Sequence, residues 1–353
     1  MPETLKIDYP MPVGLFSKVI LDEEKSLRLV LTENCNLSCE FCVYKVKDFH
    51  SPEIKSNRFA EMKPTKGLKE LLVEMRSNLH YNIAHLTGGE PTLSKEIVPI
   101  ARLCKSAGYS VNVVSNLIDE KPIMDLLKEG LLGELTFSYV PMDSKQRKPE
   151  PLLAGGPNER RNKQVKENVS KIRSLFPDLV IKANIIMAPH TNIDHTVEFV
   201  NWCWNNGVVP RMQRDRSSDR IAGSTESTNA ILKRLGMKPK QVTLRIPGAT
   251  EICQFENSDK KTIYVKVFNK NFRLREICKF CDKREVCSKA LSSIRVYDTV
   301  DGPRMCFCTQ LNDGFANLGI KDFLKSDAFK EIKGYRENKA SYFERFCTTH
   351  NFQ

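Results

Sequence analysis

From residue 26 to about residue 212, short apolar runs alternate with longer stretches whose apolar residues recur every three or four positions. The short runs are 26–32, 82–87, 109–115, 132–140, 179–187 and 207–213, rich in β-branched or aromatic residues and bounded by polar or glycine punctuation. They predict strands. Segments 67–79, 96–108 and 168–176 carry the spacing of a helix that packs one face on a sheet. Repeated β–α units imply parallel strands joined by right-handed crossovers. Six such units predict an α/β fold, a partial (β/α)6 barrel of the TIM type.

Two charged segments interrupt the rhythm, and both read as loops: 144–166 after the fourth strand and 214–228 after the sixth. Loops after parallel strands lie at the C-terminal face, where barrel enzymes keep their sites. Beyond residue 229 the alternation fades. Strand-like runs at 242–246 and 262–268 suggest a smaller cysteine-bearing module, and the tail reads as helical. The expected organisation is an N-terminal extension (1–25), a barrel (26–228), a cysteine-rich module (229–320) and a helical tail (321–353).

Charge and composition narrow the function. The net charge of +12 over 353 residues suggests an anionic partner. Basic residues do not form one stripe interleaved with aromatics, which argues against nucleic acid. Without an apolar run of membrane length or a secretory leader, the chain is expected in the cytoplasm, away from membranes. Twelve cysteines in a reducing compartment then point to metal ligation rather than disulfides. Cys104, Cys203, Cys253 and Cys347 stand alone and read as small apolar residues.

The first strand runs into Cys35, Cys39 and Cys42, spaced C-x3-C-x2-C. Three thiolates with no near fourth ligand suit a [4Fe–4S] cluster with one open iron. A zinc knuckle completed by a distant ligand is the competing reading. The second strand ends in Thr87-Gly88-Gly89-Glu90-Pro91-Thr92. Adjacent glycines let a ligand approach the backbone, and Glu90 offers a carboxylate to an ammonium group. Ser115, Asn116, Ser138 and Asn184 are small polar residues in or at the ends of apolar strands.

The triad after strand one together with the Gly-Gly-Glu turn after strand two resembles the radical S-adenosylmethionine (SAM) superfamily, over roughly residues 20 to 215. The resemblance implies that Cys35, Cys39 and Cys42 hold a [4Fe–4S] cluster whose open iron chelates SAM. It implies that Gly88, Gly89 and Glu90 contact the methionine moiety, and it raises Ser115, Ser138 and Asn184 as further SAM contacts. The implied chemistry is reductive cleavage of SAM to a 5′-deoxyadenosyl radical that abstracts a substrate hydrogen, fed by a low-potential donor such as flavodoxin or ferredoxin.

The late cysteines are Cys278, Cys281, Cys287, Cys306 and Cys308, with a reversal expected at Val300-Asp301-Gly302. A zinc ribbon and a second iron–sulfur cluster both fit. The segment resembles the C-terminal region of the GTP 3′,8-cyclases of molybdenum-cofactor biosynthesis, the MoaA family. That resemblance implies an auxiliary [4Fe–4S] cluster on Cys278, Cys281 and Cys306, facing the substrate. Cys287 also matches the spacing of SPASM and twitch modules, which leaves Cys287 and Cys308 as rival ligands. Arg28, seven residues before Cys35, matches a phosphate-binding arginine of the cyclases, and Arg211, Arg214, Arg216, Arg295 and Arg304 are further cationic candidates. The chain departs from the cyclases at Ile83 and His85, where they have basic residues, and in ending Asn-Phe-Gln without a diglycine. The expectation is therefore a MoaA-like enzyme acting on a different small anion, a nucleotide-like compound first. A peptide maturase of SPASM or twitch type is the alternative within the superfamily, disfavoured by the short segment before strand one. A non-catalytic iron–sulfur or zinc protein is the alternative outside it.

Overall fold

The computed structural model describes residues 16–37, 39, 60–140, 158–187, 191–214, 221–248, 250–268, 278, 293–307 and 317–341. Six parallel strands follow one another in chain order: β2 (Ser26–Val30), β3 (Ile83–Thr87), β4 (Ser110–Ser115), β5 (Leu132–Tyr139), β6 (Val180–Met187) and β7 (Val208–Arg214). Each matches an expected strand to within one or two residues. Between them run α1 (Lys66–Leu79), α2 (Ile97–Ser106), α3 (Lys121–Lys128), α4 (Asn158–Leu175) and α5 (Ile193–Asn205). Caps that could be read in the sequence start two of them. Thr65 Oγ1 accepts from the Leu68 N–H and Asn192 Oδ1 from the His195 N–H.

Side-chain alternation decides which face is which. On β3, Ala84 and Leu86 are fully buried with Leu68, Leu71, Leu72 and Met75 of α1, while Ile83, His85 and Thr87 keep part of their surface. The helices therefore cover one face, and the sheet curls into a half-barrel around the other. Phe199 of α5 stacks on Tyr139 and meets Phe137 edge-on, which seats that helix on β5.

Among the described residues, the later part of the chain does not build a sheet of its own. β8 (Lys238–Ile246), β9 (Thr250–Glu256) and β10 (Thr262–Phe268) extend the barrel sheet beyond β7, with β10 parallel to β7. At the opposite edge β11 (Ile294–Tyr297) runs parallel to β2 and turns back through β12 (Arg304–Cys306) to β13 (Asn317–Leu318). β1 (Lys18–Glu23), in the segment expected as an extension, pairs with β8. One sheet thus joins all the strands among the described residues, in the order β1-β8-β9-β10-β7-β6-β5-β4-β3-β2-β11-β12-β13.

Two expected loops are corrected. Residues 158–166 form the first half of α4, because Arg161, Val165, Asn168, Val169 and Ile172 make one buried stripe with helical spacing. Two of its members, Arg161 and Asn168, are polar, so the apolar spacing is continuous only from Val169. Residues 221–228 open α6 (Ile221–Arg234), which buries the polar side chains of Ser224, Ser227 and Thr228. The expected helical tail is present as α7 (Ile320–Lys325) and α8 (Asp327–Glu337).

Candidate functional site

The turn after β3 lies against the segment that leaves β2. The Leu31 N–H donates to the Thr87 carbonyl, the Gly89 N–H to the Thr32 carbonyl and the Glu90 N–H to the Asn34 carbonyl, at 2.7–2.8 Å. Two backbones this close leave no room for a side chain. A Cβ on Gly88 would sit 2.4 Å from the Thr32 carbonyl oxygen, and one on Gly89 2.3 Å from that of Asn34. Gly88 also has φ +152°. The Gly-Gly pair therefore fastens the second turn to the chain just ahead of Cys35, which is exposed, and Cys39, which is half-buried. Cys42 lies outside the described residues.

Glu90 is almost wholly buried and ties three segments together. Its Oε1 accepts from the Thr92 N–H (3.1 Å), the Thr92 hydroxyl (2.9 Å) and the Ser115 hydroxyl (2.7 Å). Its Oε2 accepts from the Asn116 N–H at 2.7 Å. Burial raises its pKa, and these hydrogen bonds oppose the rise. The carboxylate expected to face an ammonium group is thus mostly engaged in holding the Gly-Gly turn, with acceptor capacity left on Oε2. Ser115 also accepts from the Leu117 N–H at 2.8 Å. Asn116 donates its side-chain N–H to Asn36 Oδ1 at 2.7 Å, beside Cys35.

Arg161 of α4 is the residue that the sequence reading missed. It is 3% exposed. One terminal N–H donates to the Ser138 carbonyl at 3.1 Å, and its Nε has no hydrogen-bond partner. Burial lowers its pKa, while Cys39, Glu90 and Cys35 pull the other way, so these groups share one neighbourhood. A buried guanidinium with an orphaned N–H is a ready donor to an anion.

The concave face carries a row of polar groups in register. Cys306 of β12 pairs with Arg295 of β11, Arg295 with Arg28 of β2, Arg28 with His85, His85 with Asn112, and Asn112 with Glu134 of β5. Next to it Ser138 pairs with Asn184 and Asn184 with Arg211. Arg211 Nε donates to Asn184 Oδ1 at 2.7 Å, and Arg28 Nε donates to Ser293 Oγ at 3.0 Å. Burial, with Arg28 and Arg245 nearby, pushes the Arg211 guanidinium down to about 10. Lys182 pairs with Glu134. The expected reversal at 300–302 is a tight turn in which Thr299 and Gly302 exchange backbone hydrogen bonds, and it carries Cys306 back to Arg295. Arg304 pairs with Asp301. Cys278 is half-buried against the core, while Cys281, Cys287, Cys308 and Arg216 and the Arg214 side chain lie outside the described residues. Cys104, Cys203 and Cys253 are buried core residues, as expected.

Residues 29–203 match the family model of the radical SAM superfamily. That stretch resembles a radical SAM domain and makes up just under half of the chain. Its curated relatives include GTP 3′,8-cyclases and a molybdenum-cofactor protein. It is 32% identical over 123 residues to a probable GTP 3′,8-cyclase of Pyrococcus horikoshii, covering 35% of this chain and 36% of that one. It is 27% identical over 177 residues to the probable cyclase of Pyrococcus abyssi, covering 50% and 52%. It is 24% identical over 236 residues to molybdenum cofactor biosynthesis protein moc-5 of Caenorhabditis elegans, covering 63% and 36%. The matched stretches span about a third to a half of these relatives. In fold, the chain is similar to a polyhistidine-tagged anSMEcpe with bound AdoMet, at TM-score 0.50 and 13% identity over 89% of this chain and 79% of that one.

The superfamily implies a [4Fe–4S] cluster and SAM. The residues present fit them. Two described cysteines follow β2, a side-chain-free cradle adjoins them, and a buried guanidinium with a spare N–H stands nearby. Among the described residues no helix is long and apolar enough to cross a membrane.

Proposed function

We propose that the chain binds SAM at the turn after β3 and uses it on a small anionic, nucleotide-like substrate held on the concave face. Cys35, Cys39 and Cys42 hold the cluster. Gly88, Gly89 and the free capacity of Glu90 Oε2 receive the SAM ammonium group, and Arg161 receives its carboxylate. Ser115 and Asn116 keep the Glu90 clamp closed, and Ser138 holds Arg161 in place. When bound and reduced, the cluster would supply the electron for reductive cleavage of SAM, the chemistry that opens hydrogen abstraction from the substrate. A low-potential flavodoxin or ferredoxin is the reductant in this reading, and the cytoplasm its compartment. The boundaries of the barrel (26–228) and the cluster module (229–320) stand as part of the same proposal.

The observation that carries the substrate class is the concave face itself. Arg28, Lys182, Arg211 and Lys266 all act on one imidazole there, so that face carries several cations, of which Lys182 is paired with Glu134. The relatives named as GTP cyclases agree with an anionic nucleotide. Cys278, Cys281 and Cys306 are proposed to hold an auxiliary [4Fe–4S] cluster. The support is that Cys306 lies in register with Arg295 and Arg28, at the edge of the same face.

Anaerobic reconstitution followed by dithionite and SAM tests the reading. The wild type is expected to absorb broadly near roughly 400 nm and to release 5′-deoxyadenosine. Cys39→Ala is expected to release none. Cys306→Ala is expected to lose about four irons per chain and substrate conversion while keeping SAM cleavage. A fully loaded wild type that forms no 5′-deoxyadenosine overturns the reading.

A further inference from the structure

His85 stands in the middle of the polar row on the concave face, and the reaction outlined above does not use it. Its Nδ1 is buried and has no hydrogen-bond partner. An unpaired buried polar atom is destabilising unless a ligand answers it. Among the described residues, the charged groups that act on this ring are cations from four strands: Arg28 of β2, Lys182 of β6, Arg211 of β7 and Lys266 of β10. The neighbouring positions in the row hold neutral Asn112 on β4 and, beyond it, Glu134 of β5, which is paired with Lys182. Arg295 of β11 lies one strand past Arg28. Burial and then these cations keep the imidazole neutral, well below the usual histidine range.

We infer that His85 is a proton-coupled specificity residue: an anionic ligand seated among the four cations draws a proton from solvent onto His85, and the imidazolium then donates Nδ1–H to that ligand. The inference rests on the proposed anion-binding role of the concave face. An anion cancels the field that keeps the ring neutral, so one more positive charge becomes favourable only once the ligand is present. An arginine at this position would carry its charge whether or not a ligand is bound. The balance is one proton taken up at Nδ1 or Nε2 with no redox change. Because the proton is supplied by solvent, ligand affinity falls as pH rises from the free ring's lowered titration range towards the raised range of the bound ring.

The experiment uses the full chain with its clusters reconstituted and inorganic pyrophosphate as the probe. Calorimetric titration near neutral pH, in two buffers of different ionisation enthalpy, measures the protons taken up on binding. Wild type is expected to take up at least about half a proton more than His85→Gln, a difference that cancels the probe's own titration. His85→Gln is expected to bind within about tenfold of wild type. In parallel, the His85 ring resonance of the wild type is expected to move to its imidazolium position at saturation, which decides the matter even if the variant does not fold. Equal proton uptake by the two proteins, or a ring that stays neutral at saturation, overturns the inference while leaving anion binding intact. Failure of wild type to bind pyrophosphate overturns the anion-binding reading and the inference together.

Discussion

A single guanidinium separates a passive cradle from one that can hold an amino acid's carboxylate. Glu90 accepts four hydrogen bonds from Thr92, Ser115 and Asn116, so its main effect is to lock the Gly88–Gly89 turn against residues 32–34. Arg161 is different, since its Nε lacks a partner and its surroundings include Cys35 and Cys39. Arg161→Ala is expected to weaken SAM binding about 10- to 100-fold, the range of a lost charge-assisted hydrogen bond, with the cluster absorbance unchanged. Equilibrium dialysis of SAM against the reconstituted variant measures this. Gly89→Ala acts by another route. Its Cβ meets backbone that cannot rotate away, so the turn must move, at a cost of about 1–3 kcal/mol. A lowered denaturant midpoint checks it.

At the scale of elements, α4 carries Arg161 into the site, and its seat is held by one buried amide. Asn168 Nδ2 donates to the Leu117 and Ile118 carbonyls at 3.0 and 3.2 Å, in the turn that follows β4. That turn contains Leu117 at φ +55°, a backbone conformation that few non-glycine residues adopt. Asn168→Ala leaves both carbonyls without this donor and is expected to cost about 1–3 kcal/mol, read as a lowered denaturant midpoint with an unchanged slope. Because Arg161 sits two turns earlier on the same helix, SAM affinity is expected to fall with stability. Asn168→Asp is not a rescue, since a carboxylate cannot donate to the carbonyls.

For the molecule as a whole, the sheet is continuous from β1 to β13, and the core it builds buries several ionisable groups. Burial pushes the Cys104 thiol from about 9 up to about 12 and the Tyr81 and Tyr139 hydroxyls from about 10 up to about 12. These groups are protonated in the folded chain and ionise in the unfolded one. The unfolded state therefore binds fewer protons above about pH 9, and stability falls as pH rises. The contribution is fully present below the unfolded values and disappears through the folded ones. The unfolding free energy is expected to drop by a few kcal/mol between about pH 9 and pH 12 and to be insensitive to these groups from about pH 7 to 8.5, as measured by urea unfolding. Cys104→Ala is expected to flatten the first part of the decline.

What could be read in the chain by itself followed from local rules. Strand and helix periods identified β2 to β7, since a buried parallel strand and an amphipathic helix each leave a repeating mark. The same holds for C-x3-C-x2-C, Gly-Gly-Glu and the Asp-Gly reversal, where few residue types satisfy the local geometry. α4 and α6 were hidden because their buried stripes contain Arg161, Asn168, Ser224, Ser227 and Thr228, side chains that period counting scores as exposed. β1, β9 and β13 were hidden for a different reason: such strands are chosen by the partner they find, not by their own pattern. Tertiary structure alone brought residues from opposite ends of the chain to one face. Arg28 and Arg295 are 267 positions apart and neighbours in register, and Arg161 shares a neighbourhood with cysteines more than a hundred residues upstream. Charge acts through space and hydrogen bonds act at contact, so sequence determined which chemistry the chain carries and folding decided which groups share it.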